Sequence, residues 1–308
     1  MRLSRTMLSL GLLFGSVTQG IAQMTQDEIR LGFREHAAMA QYYRWYQFYE
    51  RPAGGVANAI DILTHDVTVA SGLGTANGHA EYEARVAQLP DTWQNAHSVK
   101  STEITHGDGG AMTLSAQITY QNKGLLPDDA VRQADLTYRV DLVPGETVLP
   151  LLSTVLIQQN SETTVETFED AYAKNRMLSL VHFWLALIED PARNPEPVRE
   201  ILADEFSLNF SSGVIADFDG FKAWLAGSGS QVAAGTHVIS NFSVEEKEVD
   251  KTYRVSTDFD WIGIAPDGTE LVAKTRHSWT VKNDVTERFA RIKTVDVEVL
   301  EPFRPRQN

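Results

Sequence analysis

There is no cysteine anywhere in this chain of 308 residues. That excludes disulfides, thiolate metal sites, a cysteine nucleophile and a lipid anchor on a cysteine. Basic residues are also scarce. The 27 Lys and Arg stand against 41 Asp and Glu, a net charge of −14. Nucleic acid is not an expected partner, because phosphate binding needs the opposite sign. Anionic membrane surfaces are disfavoured for the same reason. The acids are spread along the chain, which reads as a self-repelling, soluble surface. No stretch approaches the roughly 20 apolar residues of a spanning helix. No two of the eight His show the i, i+4 spacing of a helical zinc site. The glycines of Gly72-Leu73-Gly74-Thr75-Ala76-Asn77-Gly78 lack the Lys-Ser/Thr ending of a phosphate loop and read as a rim loop. No metal and no cofactor is expected.

The N-terminus is expected to be a secretory signal over residues 1–22. Arg2 and Arg5 form a charged region, Met7 to Val17 an apolar run too short to span a bilayer, and Gly20-Ile21-Ala22 a small-residue cleavage site. The mature chain would then carry 25 basic against 41 acidic residues. It would be periplasmic or secreted, and stable through its core alone.

What the chain does have is an internal repeat. Trp45 and Trp184 are separated by 139 positions. The same offset superposes Ile62-Leu63 on Ile201-Leu202, Tyr82 on Phe221 and Val86 on Leu225. With one more residue it aligns His97-Ser98-Val99 with His237-Val238-Ile239, and with another Thr137-Tyr138-Arg139-Val140 with Ser278-Trp279-Thr280-Val281. A period of this size is that of a duplicated domain, not of a solenoid unit. The spacing divides the chain into residues 23–160 and 161–308, joined by the polar run Gln158 to Thr164.

Each repeat opens with a helical pattern, Ile29 to Phe48 and Phe168 to Leu187, stopped by Pro52 with Gly54-Gly55 or by Pro191, Pro195 and Pro197. A short helix (Val56–Leu63; Pro197–Leu202), a strand (Val67–Ala70; Phe206–Phe210) and a third helix (Ala80–Leu89; Phe218–Leu225) follow. The remainder reads as strands: 96–104, 111–120, 134–142 and 151–157, then 236–246, 252–262, 270–281 and 290–299. Alternation is clear at Tyr253, Val255, Thr257, Phe259 and Trp261, and Pro266-Asp267-Gly268 predicts a turn. Helices followed by antiparallel strands predict an α+β class with the helices on one face of a curled sheet.

The ordered set Ile-Leu-Ala-Asp-Glu-Phe, Phe-Asp-Gly-Phe-Lys-Ala-Trp-Leu, Thr-His-Val-Ile-Ser-Asn, Trp-Ile-Gly-Ile-Ala-Pro-Asp-Gly and Ser-Trp-Thr-Val (residues 201–281) resembles the SnoaL-like branch of the nuclear transport factor 2-like superfamily. The second repeat carries the pattern well. The first is divergent, with Thr-His-Asp-Val in place of Asp-Glu-Phe and no Pro-Asp-Gly turn. The resemblance implies two tandem cone-shaped curved antiparallel sheets, each with its N-terminal helices packed on the concave face around a pocket. It also implies pairing of units through their sheets, so that the two repeats would form an intrachain pseudo-dimer, with further oligomers possible. Such members include isomerases, dehydratases and cyclases, and also non-catalytic binding modules, so function rests on the site.

His97 and His237 occupy the same place in each repeat. A near-neutral imidazole there would exchange protons in an apolar pocket, or would hold strand to helix. His277 shares a strand face with Trp279. Asp258 and Asp260 lie opposite Phe259 and Trp261 by alternation, so they face outward if the aromatics face in. Asp66 and Asp204 are weaker candidates at helix ends. Tyr42, Trp45, Tyr46 and Tyr49 form one helical face, whose hydroxyls would either polarise a substrate or sit in the core. Tyr120, Trp184, Trp261 and Trp279 complete the candidate ligand-binding set, with His237, His277 and His97 the candidate acid/base groups. The expected function is binding of a small apolar molecule. Cofactor-independent acid/base catalysis of the isomerase, dehydratase or cyclase type, and protein association, remain open beside it.

Overall fold

A computed structural model describes residues 24–56, 60–228, 232–248 and 251–307. The expected signal segment lies outside them. The first helix, α1 (Gln26–Glu50), begins at a reciprocal cap. Thr25 Oγ1 accepts from the Glu28 N–H at 3.3 Å, and the Glu28 carboxylate accepts from the Thr25 N–H at 2.6 Å. It ends where Pro52 begins a single 3₁₀ turn. Strands β1 (Leu63–Ser71) and β2 (Gly74–Asn77) form a hairpin, α2 (Gly78–Val86) follows, and β3 (Gln94–His106), β4 (Met112–Lys123), β5 (Val131–Val143) and β6 (Leu151–Val165) complete the first repeat. The second repeats the order: α3 (Tyr172–Glu189), β7 (Leu202–Phe210), β8 (Gly213–Ile215), α4 (Phe218–Ser228), β9 (Ala234–Glu248), β10 (Thr252–Ile264), β11 (Glu270–Lys282) and β12 (Arg291–Pro305).

Both sheets have the same order, β2-β1-β6-β5-β4-β3 and β8-β7-β12-β11-β10-β9. This is the α+β, two-repeat architecture that the offset predicts, with one difference. The sheets are mixed rather than antiparallel, because β1 pairs with β6, and β7 with β12, in parallel. That pairing is non-local and has no period in the sequence. The polar run Gln158 to Thr164 is also not a linker. It continues β6, with Thr164 opposite Arg132 and Gln158 opposite Thr137. The expected turn is present: the Gly268 N–H donates to the Ala265 carbonyl at φ +87°, a conformation glycine adopts at little cost. Bulges between Val99 and Ser101 and between Ser256 and Asp258 bend the two sheets at matching places.

The repeats meet through their helices. Tyr42, Trp45 and Tyr46 turn one face of α1 into the core of its own sheet. The small residues Ala37 and Ala40 turn the other face toward α3 and belong to the core of the second repeat. Leu178 of α3 reciprocates in the first. Small residues let the helix backbones approach closely. The Ser179 hydroxyl donates to the Ala40 carbonyl at 2.8 Å. Arg176 is fully buried and bridges the halves, donating to Gln47 of α1 and to the carbonyls of Asp284, Glu287 and Arg288.

Candidate functional site

The helix geometry places a glutamate at the end of each long helix, five residues beyond the duplicated tryptophan. Glu50 and Glu189 are the last residues of α1 and α3, where the helix dipole offers no help to a negative charge. Each carboxylate is instead taken up by the histidine at the start of the facing strand. Glu50 Oε1 accepts from the His97 N–H at 2.9 Å and lies 3.2 Å from His97 Nδ1. Glu189 Oε1 accepts from the His237 N–H at 2.8 Å and lies 2.7 Å from His237 Nδ1. Burial raises both carboxyls, Glu189 to about 7, and lowers His237 to about 3.

Each pair receives a third group from the other repeat. Asn175 of α3 donates to Glu50 Oε1 and to the His97 carbonyl, both at 2.9 Å. Its counterpart at the 139-residue offset is His36 of α1. His36 Nε2 lies 3.0 Å from the His237 carbonyl and 3.6 Å from Glu189 Oε1. A carbonyl can only accept, so His36 Nε2 carries the proton and donates. Neutral His36, its pKa lowered by burial, then has a bare Nδ1. The His182 Nδ1, 2.9 Å away, donates to it. Tyr43 stacks on His182 at 5.7 Å.

The two glutamate–histidine pairs differ in their surroundings. His97 is enclosed: Tyr46 stacks on it at 4.5 Å and Tyr120 lies at 5.1 Å. His237 lines a cleft of about 180 Å³ between the repeats. Met39 of α1, Thr102 and Ile104 of β3, and Val238 of β9 form apolar and neutral walls, with His36 and His182 beside them. Glu35 is at the cleft and is paired with His106 at 3.0 Å. With Nδ1 donating to Glu189, the His237 Nε2 is left as a hydrogen-bond acceptor.

His237 and His97 thus mark equivalent places, but they sit in separate sites. His277 is not joined to His237: the Phe259 ring stands between them, 5.4 Å from one and 4.6 Å from the other. Burial lowers His277 to about 3. The Nδ1 of His277 and the Nε1 of Trp279 are buried without a hydrogen-bond partner. The candidate aromatics do not line the cleft. The Tyr46 hydroxyl donates to the Tyr42 hydroxyl, Tyr49 and Tyr82 share a hydrogen bond of 2.6 Å, and Trp45 packs on both Tyr49 and Tyr82. The Tyr120 hydroxyl donates to Asn95 at 2.7 Å. Trp184 and Trp279 meet edge to face at 6.0 Å in the second core. Trp261 packs against Gly235, Gly263 and the exposed Phe303. Asp258 is held by Arg276 and Asn241, and Asp260 by Lys274, away from Phe259 as the alternation indicates. Asp66 and Asp204 take no part in the glutamate–histidine pairs or the cleft. Glu50, Glu189, His36 and His182 are absent from the sequence-based candidates. The two glutamates had a signal, since they recur at the offset of the tryptophans. No group of three or more His, Asp or Glu able to hold a metal occurs among the described residues.

No protein-family model matches the chain. No curated protein matches it either. Solved structures do. A hexachlorocyclohexane dehydrochlorinase (LinA) type 2 shares 12% identity, covering 44% of this chain and 89% of that one, with a TM-score of 0.38. The LinA-type3 enzyme of Novosphingobium barchaimii shares 10%, covering 44% and 90%, with a TM-score of 0.38. A nuclear transport factor 2 (NTF2-like) superfamily protein of Salmonella enterica shares 12%, covering 42% and 92%, with a TM-score of 0.37. Each spans about one repeat. The tandem organisation read from the sequence is the architecture this chain carries, one helix-and-sheet unit followed by a second with the same strand order.

Proposed function

We propose that the chain is an exported protein that binds a small molecule in the cleft between its repeats, at the Glu189–His237 pair. The observation that carries this reading is the contrast between two equivalent pairs. The one at His97 is closed over by tyrosines, and the one at His237 opens on a cavity with apolar walls and few polar groups. That combination is the usual form of a small-molecule site. Export rests on the N-terminal sequence alone.

The same pair favours a second reading. A neutral imidazole backed by a carboxylate is positioned to take a proton at Nε2, as in cofactor-independent isomerases and lyases. Burial of His237 works against it, since a base with a pKa near 3 is weak at neutral pH.

Native mass spectrometry of the protein purified from its own cells separates the outcomes. A bound small mass that is lost in His237→Ala supports the site. A bound mass that His237→Ala retains refutes it, and an added protein mass moves the weight to association. A mass bound by the wild type that changes chemically over time, and does not change in His237→Ala, supports the second reading.

A further inference from the structure

The open state of the cleft has a local cause. Thr102 lies five residues after His97, and Phe242 lies five residues after His237. They are counterparts on β3 and β9. Thr102 borders the His237 site, whereas Phe242 is half-buried against apolar side chains. Phe242 packs against the cores of both repeats. Thr102 is exposed and belongs to the cleft wall. The position that carries a packed benzyl group in the second repeat thus carries a small hydroxyethyl group in the first, at the wall of a void.

The void also has a polar signature. His36 donates through Nε2 to the His237 carbonyl, which commits His182 to donate through Nδ1. His237 donates through Nδ1 to Glu189. His182 and His237, two of the three lining histidines, thus keep Nε2 as an acceptor, and neither Nε2 has a hydrogen-bond partner among the described residues. The lining includes no Lys or Arg. A carboxylate or phosphate would find two lone pairs and two nearby glutamates, with no counter-charge. A ligand that donates a hydrogen bond would be matched. The volume is close to one ring: a cavity of about 150 Å³ lined by apolar side chains holds benzene.

We infer that the cleft takes a small neutral molecule of single-ring size that donates a hydroxyl hydrogen bond to His237 or His182, and that Thr102 is the residue that keeps this site open. The inference rests on the binding reading above and adds the ligand's chemistry and the gate.

The test is calorimetric titration with phenol, benzene and benzoate of the wild-type protein and of Thr102→Phe, with thermal melts of both. Because Thr102 is exposed, the variant should melt within a few degrees of wild type. Phenol should bind at least ten-fold more tightly than benzene or benzoate, about 1.4 kcal/mol, and Thr102→Phe should weaken phenol at least ten-fold. Equal binding of phenol and benzene, both lost in Thr102→Phe, overturns the hydroxyl donor while keeping the cleft. Phenol binding that Thr102→Phe leaves unchanged overturns the gate and this cleft. Failure of all three probes, with a His237-dependent native mass still present, overturns the ligand class but not the binding reading. Should the variant melt far below wild type, Thr102→Leu supplies the same blockade with less bulk, and phenol binding unchanged in it overturns the gate.

Discussion

The Ser179 hydroxyl donates to the carbonyl of Ala40 across 2.8 Å, and these residues are each other's counterparts under the 139-residue offset. A residue that touches its own counterpart lies on the axis relating the repeats. That axis passes through the crossing of α1 and α3. The contact between the halves is therefore centred on a helix pair, with α1 also against β9, where the sequence resemblance implies pairing through sheets. Around the axis the cross-contacts come in twos: Asn175 serves the Glu50–His97 pair and His36 serves the Glu189–His237 pair.

Ser179 should tolerate loss of its hydroxyl better than gain of bulk. Ser179→Ala removes one buried hydrogen bond and should cost about 1 kcal/mol. Ser179→Leu must push the close-packed helices apart and should cost about 3 kcal/mol or more, at the upper end of overpacking. Urea unfolding reads both. Equal midpoints for the two variants would show that the helices do not meet here.

Glu50 should be a structural clamp. Its Oε1 takes the His97 N–H, the His97 imidazole and the Asn175 amide, all in the core. Glu50→Ala orphans those donors at about 1–3 kcal/mol each when fully buried, so the variant should lose about 3 kcal/mol or more. Glu50→Gln keeps a carbonyl oxygen and should lose less. A Glu50→Ala protein as stable as wild type would remove the clamp.

Gly32 should resist alanine although it lies inside a helix. A Cβ there would stand 2.2 Å from Thr236 Oγ1 and 2.5 Å from its Cβ. Helix propensity alone predicts a gain of about 1 kcal/mol from Gly→Ala. The close approach of α1 to β9 predicts a loss of about 1–3 kcal/mol instead, partly restored in Gly32→Ala/Thr236→Gly. Chemical denaturation gives the sign, and a gain in the single variant contradicts the close approach.

Stability should fall as the protein is acidified below about pH 6.5. Burial lowers His237 and His277 from 6.5 to about 3, so between those values the unfolded chain binds protons that the folded chain refuses. Their contribution is complete above pH 6.5 and is lost as pH falls toward 3. Glu189, raised from 4.5 to about 7, acts oppositely and favours the folded state as pH falls from 7 toward 4.5. Burial also lowers His36 and His182 and raises Glu50, so four histidines stand against two glutamates and the histidines prevail. Denaturation midpoints from pH 6.5 to 4 should therefore decline. In His277→Gln the slope near pH 5 should be shallower by about 1.4 kcal/mol per pH unit, one proton's worth. An unchanged slope would mean that His277 titrates normally.

Much of the fold was legible because its causes are local. The apolar period marks α1 and α3, alternation marks β10, and Pro266-Asp267-Gly268 marks its turn. Strand ends were underestimated where the sequence is polar, as at Gln158 to Thr164, because backbone pairing with β5 holds that segment without an apolar face. The candidate site was half legible. His237 and His97 announce themselves by position. Glu50 and Glu189 recur with the same offset, but a glutamate ending a helix usually faces water, and nothing local says that these two turn inward. The aromatic candidates were recognisable as a set. Composition alone does not say whether a tyrosine face borders a cavity or fills it, and here hydroxyls pair with hydroxyls.

The sequence by itself determined the duplication, the α+β class, the two long helices and the twin histidines, since these follow from periodicity and offset. Only the tertiary structure decided which histidine is open. That depends on what packs on each imidazole: Tyr46 and Tyr120 cover His97, while the small Thr102 walls the cleft at His237. It also depends on which ring nitrogens the buried hydrogen-bond chain through His36 and His182 leaves unclaimed. Both are contacts between residues on different elements, fixed by volume and by the demand that buried polar groups be paired.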